Sequence, residues 1–295
     1  GGRAVTRIVC AGHVNWDVTL QVDRLPEPDG EARITGQRQA GGGSASNTAA
    51  VLAGLDVETT LIGSVGVDEH GYLLRRELGA LGVDTALVER ADEVTTVKYL
   101  VVDQAGEVMI LGNEGANEAF SADDVDADAV READHLHLTS QRAETAIDLA
   151  DLADDAGTSV SFDPGRRVAD RAYDPVLERA DLLFLNEREF GLVEDEEILS
   201  SGQTVIVKRG ADGAQLRRGD KTVSHSGFAV EPVDTTGAGD AFAGGFLAAR
   251  EDRSEEEALA AANACGALAA RTLGARAYLS WIDVEAILGV ENGTD

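Results

Sequence analysis

The feature that most restricts this chain is the order of its short apolar runs. Ile8 to Ala11, Thr59 to Val65, His135 to Leu138, Ser159 to Phe162, Leu182 to Leu185 and Thr204 to Lys208 read as buried strands. Between and after them lie helical patterns at Ser46 to Leu55, Gly71 to Leu81, Arg142 to Asp155, Asp240 to Arg250, Glu255 to Thr272 and Ile282 to Leu288. Strands that alternate with helices predict an α/β fold, with a mostly parallel sheet covered by helices on both faces. No internal repeat and no linker with a composition shift interrupts the series. Residues 1–295 are therefore expected to form a single domain.

Two stretches depart from the alternation. Residues 18–38 hold "VTLQV", a turn-rich "DRLPEPDG" and "EARITGQR"; residues 94–112 hold two β-rich runs around Gln104-Ala105-Gly106. Extended pieces inserted between βα units predict a small second sheet, a lid over the crevice at the carboxyl ends of the main strands.

With 43% apolar residues the chain can fill a core, and no apolar run reaches the roughly 20 residues of a membrane span. The first residues lack the basic-then-apolar pattern of a secretory signal. Cys10 and Cys265 are too few and too far apart for a disulfide framework and read as buried thiols. A cytoplasmic protein with no membrane partner is expected. Charge is lopsided: 25 basic against 54 acidic residues leave −29, and only Lys98, Lys208 and Lys221 are lysine. Acids spread along the whole chain predict a solvated shell suited to concentrated salt, a halophilic adaptation, rather than a docking tail. Such a surface would repel a phosphate backbone, so nucleic acid is not an expected partner.

Three segments could carry chemistry. "DTTGAGDAFAGGFLAA" (234–249) sets Gly237 and Gly239 before an apolar helix whose free N–H groups could hold an anion. Asp240 could cap that helix or accept a proton from a bound hydroxyl. Taken alone, a capping aspartate is the simpler account. The segment is neither a P-loop nor a dinucleotide fingerprint, since Phe242 occupies the place of the third glycine. "AGGGSASNTAAVLAGL" (40–55) puts Gly41, Gly42 and Gly43 before a small-residue helix, with Asn47 near its start. "GHVNWD" (12–17) carries Asn15 and Asp17 two apart, on one side of an extended segment.

These segments resemble the signatures of the ribokinase-like (PfkB) family of sugar and nucleoside kinases. The 234–249 stretch is similar to the C-terminal signature, "GGGSASNTAAVLAGL" to the N-terminal one, and "GSVGVDEHG" (63–71) to a third family segment. Matching pieces run in family order from Gly12 to about Leu279. The resemblance implies a three-layer ribokinase-like fold with a β-sheet lid, and an ATP-dependent phosphotransferase acting on a hydroxymethyl group. It casts Asp240 as general base and the amides of Gly237, Ala238, Gly239 and Asp240 as the anion hole for the transferring phosphoryl group. It gives Asn15, Asp17, Gly42, Gly43 and Asn47 to the acceptor. "NEREF" resembles the family's NxxE, placing Asn186 by the nucleotide phosphates and Glu189 near Mg²⁺, through water. Lys208, Gly210, Gly213 and Asn263 are implied to line the nucleotide. Asp234 and Thr236 are implied, with the loop near Gly274, to hold a monovalent cation such as K⁺. A homodimer through the lid is also implied.

At the acceptor the pattern departs from the family's GGKGAN, because residues 43–47 contain no lysine. That weighs against a phosphorylated sugar, and Arg166 of "FDPGRR" instead suggests a carboxylate or phosphate contact, as for a sugar acid like 2-keto-3-deoxygluconate. The expected acceptor is a small sugar or sugar acid. One alternative is a nucleoside, with Trp16 stacking on the base; another is a non-catalytic sugar- or nucleotide-binding protein.

Overall fold

Along the first strand, Arg7–Ala11 (β1), Ile8 and Cys10 pack into one hydrophobic cluster while Val9 and Ala11 pack into another. This two-residue period is the geometry of a strand buried on both sides. The structure, a computed structural model, describes residues 6–90, 92–194 and 202–291. The amino-terminal residues on which the expectation about a leader rests lie partly outside that range. Strand β1 is followed by Asn15–Val22 (β2), Ile34–Gly42 (β3), Ser44–Gly54 (α1), Glu58–Gly66 (β4), Glu69–Ala80 (α2), Asp84–Arg90 (β5), Val97–Val102 (β6) and Val108–Gly112 (β7). Then come Ala127–Arg131 (α3), His135–Thr139 (β8), Ala143–Ala156 (α4), Ser159–Asp163 (β9), Asp174–Arg179 (α5), Leu182–Asn186 (β10) and Glu187–Glu194 (α6). The chain continues through Thr204–Lys208 (β11), Ala214–Arg218 (β12), Lys221–His225 (β13), Ala238–Ala249 (α7), Glu255–Ala270 (α8) and Trp281–Glu291 (α9).

The main sheet has the order β13-β12-β11-β10-β9-β8-β1-β4-β5, parallel from β11 to β5, with an antiparallel hairpin of β12 and β13 at one edge. Helices α1, α2, α7, α8 and α9 contribute Leu52, Leu74, Phe246, Leu259 and Val284 to one face. Helices α3, α4 and α5 contribute Val130, Leu149 and Val176 to the other. This is the expected three-layer fold. Two glycines explain how closely α7 sits: a Cβ on Gly244 would meet Val51 of α1, and one on Gly245 would meet Cys265 of α8. Helix α8 starts on a capping box in which Ser254 and Glu257 satisfy each other's backbone N–H.

Three details differ from the expectation. Strands β5 and β12–β13 were not foreseen, because their residues are partly exposed and charged rather than continuously apolar. The apolar run before the 234–249 segment, "FAVEPVD" (228–234), reads as strand-like in the sequence but joins no sheet; Pro232 has no N–H to offer a ladder. Helix α7 begins at Ala238 with Gly237 as its N-cap, so Asp240 is the third residue of the first turn and does not cap it.

The smaller second sheet is present, in the order β3-β2-β6-β7; its first part, Asn15 to Gly42, is longer than 18–38, and its second, Val97 to Gly112, lies within 94–112. Strand β2 pairs antiparallel with β3 and parallel with β6. Its Trp16 and Val18 join the main core, and Trp16 stacks on His70 at 5.9 Å. Its alternate residues, Asp17 and Thr19, face the other way. At the far edge of the lid Val108, Met109, Ile110 and Leu111 are all exposed.

Two histidines inside the sheet make stability depend on pH. His135 bonds Ser159 and Ser161, His137 bonds Ser161 at 2.8 Å, and both rings are buried. Burial pushes His137 down to about 4, so it is neutral in the fold. The unfolded chain binds a proton near 6.5 that the folded ring refuses, and this contribution to stability is lost as pH falls below 6.5. Asp17 and Asp240, raised in the fold, act in the opposite direction. The comparison that isolates the ring is therefore His137→Gln against the parent. The parent is expected to lose about 1.6 kcal/mol relative to the variant over the whole interval from pH 6.5 to 5. Parallel urea-unfolding curves across that range would exclude this account.

Candidate active site

The carboxyl ends of β1, β9, β10 and β11 open onto one crevice, and the glycine turn before α7 forms its floor. Gly237 has φ 76, a left-handed conformation natural only to glycine, and the backbone there lies against the Ala275 carbonyl. The turn is held from outside: Asp234 accepts the N–H of Thr236 and the N–H of Gly274, each at 2.9 Å. No side chain caps α7; the Ala238 N–H is spent on the Thr235 carbonyl at 3.2 Å, which leaves the amides of Gly239 and Asp240 as the ones that could meet an anion.

Asp240 projects from this first turn across to α1, where Asn47 Nδ2 donates to its Oδ2 at 2.9 Å. Its backbone carbonyl accepts the Thr48 hydroxyl. Burial pushes its carboxyl up to about 7, against the bond from Asn47, with the Asp163 charge adding to the rise. A carboxylate so placed is poised to exchange a proton near neutral pH.

Opposite, the lid supplies Asn15 and Asp17. Asn15 Nδ2 donates to Asp17 Oδ1, both residues are buried, and burial pushes Asp17 up to about 6. The amide oxygens of Asn15 and Asn47 are buried without a hydrogen-bond partner. Buried acceptors left open in this way are sites for a ligand's donors. Gly42 comes so close to Asp17 that a Cβ would collide with its carboxylate, and Gly43, at φ 98, packs on the His13 backbone. Five of the expected acceptor residues are thus brought together. Arg166 is not among them: it is exposed on the turn after β9, where its charge acts on Glu189.

On the other side of the turn lies a cavity of about 1120 Å³, lined mainly by apolar surface and by Lys208, Gly210, Gly213, Gly239 and Asn263. Volume and lining suit a flat aromatic ligand with a polar tail. Asn263 holds its place by donating to the Leu259 carbonyl. Gly213, at φ 80, has no room for a Cβ beside the His225 carbonyl. Lys208 Nζ lies 2.5 Å from Asp163 Oδ2 and close beside Gly239. Asn186 and Glu189 cap α6 reciprocally, each accepting the other's N–H, at 2.8 and 2.9 Å. Only Glu189 Oε2 is used in this way; burial raises its carboxyl, and Asp163 adds to that.

Several residues went unforeseen. Asp163 was passed over for the arginines that follow it. Arg276 is fully buried and donates to Glu77 at 2.7 Å and to Ser46 at 2.5 Å, tying the loop behind Gly237 to α1 and α2. Glu118 is held down to about 2 by His13 and Arg171, which outweigh its burial. Trp16 donates to Gln39, is buried in the main core and stacks on His70, so it is no platform for a base.

A glycine turn before an uncapped helix, a buried carboxylate in that helix's first turn, a cluster of buried polar groups beside the smaller sheet and an apolar cavity thus lie together. The pfkB family carbohydrate kinase model matches residues 5–282, and the chain belongs to that family. It is 54% identical over 281 residues to the ATP-dependent ribose-1-phosphate kinase of Halopiger xanaduensis, covering 92% of this chain and 94% of that relative. Among solved structures, the ribokinase of Thermotoga maritima matches with a TM-score of 0.86 at 28% identity, covering 97% of this chain and 99% of that one. The Arabidopsis thaliana ribokinase complexed with ribose and ATP matches with a TM-score of 0.85 at 27% identity, covering 98% and 99%. The chain is an ATP-dependent carbohydrate kinase. Among the described residues no helix is long and apolar enough to cross a membrane.

Proposed function

We propose that this kinase transfers the γ-phosphoryl group of ATP to the hydroxymethyl group of a phosphorylated pentose, with ribose 1-phosphate as the acceptor. The observation that carries the chemistry is the Asn47–Asp240 pair beside the uncapped start of α7. The likeness to the Halopiger enzyme supports the acceptor, in place of the unphosphorylated sugar or sugar acid expected from residues 43–47 and Arg166. In the furanose form only C5 of ribose 1-phosphate carries a hydroxymethyl group, so the product would be a 1,5-bisphosphate.

In this reading Asn15, Asp17, Gly42, Gly43 and Asn47 orient the pentose, and Asp240 takes the proton of its hydroxyl as the oxygen attacks. The amides of Gly239 and Asp240 hold the transferring phosphoryl group as charge shifts among its oxygens. Lys208, Gly210, Gly213 and Asn263 line the nucleotide site. Glu189, with an oxygen free of protein bonds, fits a hydrated Mg²⁺, and Asn186 fixes its orientation; the ion would neutralise charge on the ATP phosphates. Asp234 and Thr236, clasped to Gly274, suit a K⁺ ion held mostly by backbone carbonyls. The exposed apolar strand β7 supports a homodimer through the lid. A nucleoside acceptor is less well supported, since Trp16 is already packed.

An acceptor panel tests this reading. Mg-ATP consumption is expected with ribose 1-phosphate well above that with ribose, 2-keto-3-deoxygluconate or nucleosides; preferred turnover of nucleosides would overturn it. A second outcome follows from Asp240, whose base form is required. The ratio kcat/KM should climb about tenfold per pH unit below 7 and level off above it. A flat profile from pH 5.5 to 8 would remove Asp240 from the role of base.

A further inference from the structure

Of the three lysines, Lys208 is paired with Asp163 and Lys221 with Glu255, whereas Lys98 makes no ion pair or hydrogen bond among the described residues. In a chain with 54 acidic residues, a half-buried ammonium without a carboxylate partner stands out. Its place in the fold says where it is aimed. Lys98 lies on β6 in parallel register with Asp17 of β2, and paired residues on neighbouring strands project to the same face. That is the crevice face, with Asp17 and the open amide oxygen of Asn15, not the Trp16 face that packs into the core. After burial, Lys98 has the largest electrostatic effect on Asp17. It has a lesser one on Asp240, where Asp163 and Lys208 come first.

Resting on the reading of a phosphorylated pentose acceptor, we propose that Lys98 is the specificity-determining contact for the acceptor's phosphate monoester, reaching it from the lid. The acceptor would then span the crevice, its anionic end at the Lys98 ammonium and its hydroxymethyl group at Asp240. Ribose 1-phosphate has this form, because its phosphate on C1 and its hydroxymethyl group on C4 are carried by the two ring carbons that flank the ring oxygen. The lysine absent from residues 43–47 is thereby replaced by one from another strand. An ammonium meeting a phosphate dianion makes charge-assisted hydrogen bonds, which a neutral side chain cannot supply.

The test compares the parent, Lys98→Met and Lys98→Arg, with ribose 1-phosphate as acceptor and with ribose as acceptor or competitor, at saturating Mg-ATP. Lys98→Met is expected to raise the KM for ribose 1-phosphate about 10- to 100-fold, with the constants for ribose and ATP within about twofold of the parent. Lys98→Arg should recover most of the loss. If Lys98→Met leaves the KM for ribose 1-phosphate unchanged, the inference fails while the proposed function stands. An equal fall in kcat with both acceptors would mean that the ammonium serves the transferring phosphoryl group instead, and this too overturns the inference. If the parent itself turns over no phosphorylated pentose, the functional reading fails and takes the inference with it.

Discussion

Asp240→Asn should lower kcat by about 10³-fold while leaving acceptor affinity nearly intact, since general-base catalysis contributes roughly 10² to 10⁴. The variant is nearly isosteric, and its amide oxygen can still accept from Asn47 Nδ2. Stability should move the other way. An acid raised to about 7 in the fold, against 3.8 as its ordinary value, is a carboxylate that the protein would rather keep protonated. Above pH 7 the charge is therefore a cost to folding, and a neutral amide removes it. Loss of turnover with a melting temperature raised by a few degrees would be the signature of a functional group held against stability. Loss of turnover with a lowered melting temperature would point to a structural role instead. A variant that kept parental turnover would also exclude the non-catalytic reading's opposite, a kinase working through Asp240.

The second large effect is expected at Gly237. Alanine there faces two separate penalties. The left-handed φ of 76 costs a non-glycine residue about 1 to 3 kcal/mol, and the new Cβ would collide with the Ala275 carbonyl. Relief of the collision must shift the turn whose amides are proposed to hold the phosphoryl group, so kcat should fall about 10² to 10³, as when anion-hole donors are lost. Gly157 is the control. It ends α4 at φ 75, with open space where a Cβ would stand. Gly157→Ala should lose the backbone part of the stability alone and keep full activity. If Gly237→Ala keeps parental kcat, the turn is not where phosphoryl charge is held.

What could be read in the sequence was what neighbours in the chain decide. Strands β1, β4, β8, β9, β10 and β11 are buried on both faces and announce themselves as apolar runs, whereas β12 alternates buried and partly exposed residues and gives no such run. Gly237, Asp240 and Asn47 sit inside compact glycine segments, so residue type and short spacing marked them as candidates, while their roles were implied only by the resemblance of those segments to family signatures. Their meeting across 193 positions is a tertiary fact. Arg276 and Glu77, 199 positions apart, show the limit: neither has a local pattern, and in so acidic a chain any arginine has many possible partners. Lys98 was hidden for the same reason. A cation for the acceptor was sought at residues 43–47 and at Arg166, both close to recognisable segments, while the register of β6 against β2 depends on the folding of the lid. Asp240 was placed correctly near the helix start, but as a cap it was misjudged, because Gly237 takes that position.

Asn15 and Asp17 belong to the lid, while Asn47 and Asp240 belong to the body. In the proposed function, an acceptor that satisfied both open amide oxygens would act as a bolt between the two sheets, and its capture and the exclusion of water would become one event. Restraint of wasteful ATP hydrolysis would then come from the acceptor itself, whose absence leaves the chamber unlatched.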